Sequence, residues 1–381
     1  MTATETQVAV VGGGVVGCAV AHALARRGVP AVLLEAEHDL ALGASGANSG
    51  VLHTGFDSTP GELETRLILR AAALREELLE ELGVAVWRCG ARLTPGSEDE
   101  RAAVARLAEN ARGNGVDVQL GEDGSLTVPG ESVTDPVAFV HALASAAQAG
   151  GARVRLGARV TGLAAAPGDV TVALETGEHL HVRAAVNCAG LYADELARGA
   201  GDELLEVYPR KGEFLVFAAP QESPLQQILL PVPSALGKGV LVFPTLDRRA
   251  VIAGPTARER EDKRDWSVES DAPELILAKA RRAYPALEGL EPVAAYAGLR
   301  PAGRDANYVI ERSRTLPCLI HVAAIRSTGL SASLAIGERV VAMLADDGTI
   351  VPGPVRALPA PAQPAPSETW WERAARRSRA S

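Results

Sequence analysis

The stretch Gln7-Val8-Ala9-Val10-Val11-Gly12-Gly13-Gly14-Val15-Val16-Gly17 decides the fold. Residues 7–11 read as an apolar strand that runs directly into a G-x-G-x-x-G turn. Residues 18–27 read as a helix, Gly28 stops it, and residues 31–34 form a second apolar strand ending at Glu35. The unit is a βαβ with an acid 18 residues beyond the last glycine. Each part has a physical role. Gly12 permits a tight turn, Gly14 lets backbone approach a diphosphate, and Gly17 lets the helix pack closely on the strand. The helix start around Val16 offers free N–H groups and the positive end of a dipole to phosphates. Glu35 can accept both hydroxyls of a ribose, and its charge disfavours a 2′-phosphate. The glycine turn alone would be a weak signal, because an ordinary α/β domain can contain one. Strand, helix, second strand and acid together predict a bound dinucleotide.

Residues 43–55, Gly-Ala-Ser-Gly-Ala-Asn-Ser-Gly-Val-Leu-His-Thr-Gly, are too rich in glycine and serine for a helix or a central strand. Such a segment brings the backbone of Ala44, Ser45, Asn48, Ser49 and Gly50 close to a ligand. His53 stands at its glycine-flanked end. Most of the seven histidines will be ordinary hydrogen-bonded side chains. His53 differs by position, and an imidazole is suited to accept a hydroxyl proton at neutral pH.

The chain has 381 residues, 47% of them hydrophobic, enough for two domains or one large composite. A net charge of −9 and a pI near 5.4 argue against nucleic-acid binding. No apolar run reaches 18 residues, so no transmembrane helix is expected. Residues 1–6 are short and polar, unlike a signal peptide. Cys18, Cys89, Cys188 and Cys318 are scattered, with no C-x-x-C. They read as reduced thiols of a cytoplasmic protein without an iron–sulfur cluster or metal site.

Further along, helices are expected over 65–82, 98–112, 137–149, 193–200, 266–284 and 332–344. Strands are expected over 84–92, 116–120, 153–156, 160–163, 170–174, 181–183 and 184–188. A second group of strands, at 213–218, 239–243 and 250–253, suggests antiparallel pairing, and 308–311 and 319–323 follow. Arg300, in Tyr296-Ala297-Gly298-Leu299-Arg300-Pro301, is either a surface ion pair or a fork for a carboxylate or phosphate. Lys238, between two glycines, is one of only four lysines, and reads as a phosphate contact or a hairpin tip. Ser327-Thr328-Gly329-Leu330 leads into the last of these helices. Residues 349–381 are Pro/Ala-rich, then basic and aromatic from Trp370 to Arg379, and read as a loose tail. The sharper reading of that end is a peripheral contact with a membrane surface or partner.

The runs Asn48-Ser49-Gly50-Val51-Leu52-His53-Thr54-Gly55 and Thr59-Pro60-Gly61-Glu62-Leu63 carry a family resemblance. So do Gly237-Lys238-Gly239, Gly254-Pro255-Thr256-Ala257, Ala297-Gly298-Leu299-Arg300-Pro301 and Ser327-Thr328-Gly329-Leu330. The chain resembles FAD-dependent oxidoreductases of the D-amino-acid oxidase superfamily, and within them glycerol-3-phosphate dehydrogenases and oxidases and L-2-hydroxyglutarate oxidases. The resemblance implies non-covalent FAD rather than NAD. It implies an α/β fold: a discontinuous Rossmann-like FAD-binding domain with an inserted antiparallel-sheet (α+β) substrate domain. The expected division is FAD-binding parts at 1–83, 134–206 and 298–348, substrate parts at 84–133 and 207–297, and a tail from 349.

It further implies roles. His53 would be the catalytic base and Arg300 the anion fork, with Ser49, Lys238 and Ser327 at the substrate. Val160, Ala189, Gly190, Gly298, Arg300, Ser327, Thr328, Gly329 and Leu330 would join the glycine turn around the cofactor. Thr328 departs from the proline of many relatives. The expected reaction is oxidation of a small anionic secondary alcohol, first sn-glycerol 3-phosphate to dihydroxyacetone phosphate. L-2-hydroxyglutarate is second and an amine or amino acid third. Oxygen, a quinone or a carrier would take the electrons. A flavin-binding subunit without turnover, and a nicotinamide enzyme, are the competing classes.

Overall fold

The computed structural model describes residues 6–166, 168–203, 206–233, 239–361 and 367–381. Its first sheet has the order Val309–Arg312, Leu319–Ala323, Ala184–Asn187, Val8–Val11, Ala31–Leu34, Arg153–Arg155. All neighbours are parallel except the antiparallel pair at the 309–312 edge. The helices are α1 (Val15–Arg26), α2 (Leu63–Glu81), α3 (Glu98–Gly113), α4 (Pro136–Ala149), α5 (Ala193–Gly199), α6 (Ala272–Ala283), α7 (Gly329–Asp346) and α8 (Trp370–Arg379).

The strand Val8–Val11 explains why its run is continuously apolar. Val8 and Val10 pack with α1, α4 and α7, whereas Ala9 and Val11 pack against a small antiparallel sheet. That sheet is Val160–Ala166, Asp169–Leu174 and His179–Val182. A strand covered on both faces has no position to spare for polar residues. Two glycines of the turn are fixed by close contact. Gly12 has φ +109°, and a Cβ there would sit 2.4 Å from the Cys188 carbonyl oxygen. A Cβ on Gly17 would lie 1.9 Å from the Gly12 carbonyl oxygen.

The second large sheet is built on Val207–Ala218, which pairs antiparallel with Ala294–Gly303 along ten residues, from Val207 opposite Gly303 to Val216 opposite Ala294. Its other edge carries Ala250–Gly254, Leu241–Pro244 and Ile228–Leu230, then Ala91–Leu93 and Leu126–Val128. Hydrophobic side chains cover both faces. A three-stranded sheet of Val51–Leu52, Ser132–Thr134 and Val86–Trp87 joins the segment before His53 to this half.

Several expectations change. The strand expected over 84–92 is two short strands, broken where Gly90 turns with φ +70°. The strand expected from 213 begins at Val207, because its polar first half is paired on both sides. The helix expected from 266 begins at Ala272, with Pro273 in its first turn. The boundary expected at 297/298 falls inside the strand Ala294–Gly303.

The loose tail is also corrected. Gly353 and Arg356 donate backbone N–H groups to the carbonyls of Arg27 (2.8 Å) and Arg26 (2.9 Å). α8 then docks with Trp370, Ala374, Ala375 and Ser378 buried. The tail's backbone groups satisfy the exposed end of α1, and its last ten-residue helix buries one face.

Substituting Gly17→Ala should cost about 1–3 kcal/mol through overpacking against Gly12. A lowered melting temperature together with weakened retention of a bound nucleotide is the expected result. An unchanged melting temperature would mean that the helix–turn contact is looser than its geometry indicates.

Candidate active site

Two cavities meet at the end of the parallel sheet. The first, about 480 Å³, is lined by Gly12, Gly13, Gly14, Val16, Glu35, Ala44, Ser45, Val160, Ala189, Gly190, Gly329 and Leu330, among others. The second, about 860 Å³, is lined by His53, Ser49, Arg210, Arg258, Gly298, Arg300, Ser327 and Thr328, among others. Ala44, Asn48 and Arg326 line both, so the two adjoin there.

The smaller cavity fits a dinucleotide. Glu35 accepts from the Gly13 N–H (2.5 Å) and the Glu37 N–H (2.9 Å), which fixes its carboxylate beside the glycine turn. Ser45 Oγ accepts from Val15 N–H at 2.9 Å and holds the 44–47 segment against the helix start. A Cβ on Gly14 would meet only that hydroxyl, at 3.1 Å, so the turn presents bare backbone to a diphosphate. Gly17 lines neither cavity and acts through packing. Gly50 lines neither as well. It has φ +75°, and a Cβ there would lie 2.3 Å from the Thr134 carbonyl oxygen.

His53 is held from three directions. Its backbone N–H donates to Ser331 Oγ at 2.8 Å, and its carbonyl accepts from Arg75 at 2.9 Å. Its ring Nδ1 lies 2.9 Å from Glu131, whose side chain has 0% exposure. Glu131 also accepts from Thr54 N–H (2.6 Å) and Thr54 Oγ1 (2.9 Å). An ionised carboxylate only accepts, so Nδ1 carries the ring proton and Nε2 keeps the basic lone pair. Arg75 offsets the buried charge, although burial draws its own guanidinium down to about 10. Behind the histidine, Asn110 of α3 and Asn114, which caps its end, donate to the carbonyls of Gly55, Phe56 and Ser58, which fixes the following loop.

Arg300 is pinned by three carbonyls: Arg210 (3.0 Å), Lys211 (3.1 Å) and Thr256 (2.9 Å). Those bonds use Nε and Nη2, leaving the Nη1 donors for an anion. Burial, and then the neighbouring Arg210, draw Arg300 down to about 10, so it stays charged at neutral pH. Arg210 stands directly opposite Arg300 across the strand pair, and its buried Nε has no partner among the described residues. Sequence reasoning missed Arg210 and Glu131. Arg210 lies in a strand half that was not recognised, and Glu131 follows a Pro-Gly turn 78 residues from its histidine.

Among the other expected residues, Ser49 Oγ accepts from Val51 N–H, and the Ser327 carbonyl accepts from Asn48. Thr328 donates to Glu64 (2.6 Å) and pairs with Tyr308 (2.8 Å), so side-chain bonds brace this position ahead of α7. Lys238 lies outside the described residues. No group of acidic, histidine and cysteine side chains among the described residues could hold a metal ion. No described helix is long and apolar enough to cross a membrane.

Residues 7–343 match the family described as DAO, FAD dependent oxidoreductase. The chain is 30% identical over 354 residues to a glycerol 3-phosphate dehydrogenase of Caloramator mitchellensis, covering 88% of this chain and 73% of that protein. It is 28% identical to a glycerol 3-phosphate oxidase of Mycoplasma pneumoniae, covering 88% and 94%. It is also 28% identical to an L-2-hydroxyglutarate dehydrogenase of Escherichia coli O17:K52:H18, covering 70% and 68%. Among solved structures, it superposes on dithionite-reduced L-alpha-glycerophosphate oxidase from Mycoplasma pneumoniae with FAD bound, with a TM-score of 0.83 at 27% identity. That match covers 90% of this chain and 95% of the other. The chain therefore belongs to the FAD-dependent oxidoreductases of the DAO family, and its cofactor is FAD.

Glu131→Gln places an amide opposite His53 Nδ1 and disturbs the choice of protonated ring nitrogen. The expected result is retained FAD, little change in KM and a kcat lowered about 10- to 100-fold. An unchanged kcat would remove Glu131 as the group that orients the imidazole.

Proposed function

We propose that this FAD-dependent oxidoreductase oxidises a small anionic secondary alcohol, with sn-glycerol 3-phosphate, giving dihydroxyacetone phosphate, as its first substrate. The observation that carries the reading is the Arg210–Arg300 pair on one wall of the cavity that His53 also lines. Two neighbouring guanidiniums repel each other, and a phosphate dianion relieves that repulsion while accepting from both. Arg258, nearby, is already neutralised by Glu213, Glu269 and Asp271, whereas Arg210 and Arg300 stand side by side on the cavity wall and are taken as the anion contacts. The glycerophosphate relatives support the same choice.

In this reading Arg300 and Arg210 orient the substrate by its anion. The C2 hydroxyl then lies toward His53 Nε2, which accepts the hydroxyl proton, while Glu131 stabilises the imidazolium that results. Bound FAD supplies the two-electron acceptor for the C2–H bond. Ser49 and Ser327 line the same cavity and are assigned to the alcohol end. Ala44, Asn48 and Gly298 would border the flavin where the cavities join. The α7 N-terminus, starting at Gly329 on the cavity wall, would present backbone N–H groups and the positive end of its dipole to bound FAD. L-2-hydroxyglutarate is the second reading, because two guanidiniums also suit a dicarboxylate and a dehydrogenase of that name is among the relatives.

Anaerobic mixing of the purified holoprotein with each candidate tests the choice. Glycerol 3-phosphate should bleach the flavin's visible absorbance, and glycine should not. Bleaching by L-2-hydroxyglutarate alone would contradict the phosphate reading. Arg210→Gln should raise KM for glycerol 3-phosphate about 10- to 100-fold with a smaller effect on kcat. An unchanged KM would remove Arg210 from the anion site.

A further inference from the structure

The matched family region ends at residue 343, yet α8, which begins at Trp370, reaches back to the dinucleotide cavity. Its attachment is specific. Thr369 and Glu372 form a capping box that fixes the helix start. Trp370 meets Tyr296 edge-on with ring centroids 5.7 Å apart, and Ser378 Oγ accepts from Ala297 N–H at 2.9 Å. Arg373 bonds Asp39 (2.8 Å) and the Leu40 carbonyl (3.0 Å). The next residue, Ala41, donates to the Gly13 carbonyl in the phosphate turn at 3.1 Å. The helix thus ties the substrate-side sheet to the loop after Ala31–Leu34, which in turn bonds the glycine turn.

One side chain of α8 lines the cavity. Arg377 borders it together with Gly12, Gly13, Gly14, Glu35 and Tyr192. Its guanidinium lies over the Trp266 ring, 3.7 Å from the centroid. Its Nη1 is buried and has no hydrogen-bond partner among the described residues. No carboxylate among the described residues stands at ion-pair distance from it, whereas Arg159, also on this cavity, is paired with Glu37 and Glu175. Arg377 is half-buried and Glu37 acts on it only from a distance, so its buried Nη1 still lacks an acceptor, a cost that an aromatic face offsets only in part. The missing acceptor is the feature to explain, and an anion in the cavity would supply it.

We propose that α8 is a closing arm of the FAD site, and that Arg377, held flat by Trp266, donates to the diphosphate of the cofactor. The glycine turn then binds the diphosphate through backbone N–H groups, and Arg377 contributes the charge that the turn lacks. Both ends of the arm are anchored by protein contacts, so cofactor retention is linked to the docking of the C-terminal helix. The inference concerns FAD alone and does not rest on which alcohol is oxidised.

The test uses the full chain stripped of flavin, with Arg377→Gln and Arg377→Lys beside the parent. Titration with FAD should show affinity lowered about tenfold or more in Arg377→Gln, and partly restored in Arg377→Lys. ADP and adenosine, titrated as separate probes, distinguish a phosphate contact from a general loosening. ADP binding should weaken in Arg377→Gln while adenosine binding holds. The melting temperature of the flavin-free protein should stay close to that of the parent, which separates lost contact from lost fold. Equal losses for ADP and adenosine, or FAD affinity matching the parent, would overturn the proposal.

Discussion

The site depends on one fully buried carboxylate. Glu131 has no exposure to solvent, and it accepts from the Thr54 amide, the Thr54 hydroxyl and the His53 ring together. Such a group is stable only if its acceptors are filled and a cation lies near. Arg75 is that cation, and it also holds the His53 carbonyl. The same bonds fix the backbone, the ring orientation and the tautomer of the imidazole. The position of His53 therefore follows from the requirement to satisfy a buried charge rather than from loop preference.

The second requirement is that two sheets meet at one place. The parallel sheet supplies the glycine turn, whose close contacts exclude side chains from the diphosphate path. The antiparallel sheet supplies Arg210 and Arg300 through the strand pair Val207–Ala218 and Ala294–Gly303. A slip of one residue in either strand would turn its guanidinium to the other face and separate the pair. The segment 43–55 crosses between the sheets, and Ala44 and Asn48 border both cavities. Its small residues allow this: a Cβ on Gly46 would sit 2.0 Å from the Ala41 carbonyl oxygen, and one on Gly298 would sit 3.0 Å from that of Ala47.

The parts legible in the sequence are those whose cause is local. The βαβ unit and the glycine-bounded helices follow from periodicity and turn chemistry within a few residues. The FAD assignment came from resemblance and is supported by the family match. His53 and Arg300 were named from segments, but their common cavity is a property of the fold. Glu131 and Arg210 escaped notice because nothing near them in the chain marks them. One is defined by a histidine 78 residues earlier, the other by a strand partner 90 residues later. The C-terminal helix escaped for a related reason. Its arginines read as a solvated basic end until Asp39 and Trp266 are found beneath them.

The central claim is that His53, oriented by Glu131, accepts the substrate proton in the cavity lined by Arg300. Rapid anaerobic mixing of FAD-loaded His53→Gln with glycerol 3-phosphate tests it most directly. The account predicts full retention of FAD and a flavin reduction rate lowered about 10²- to 10⁴-fold. Reduction at the parent rate would contradict it.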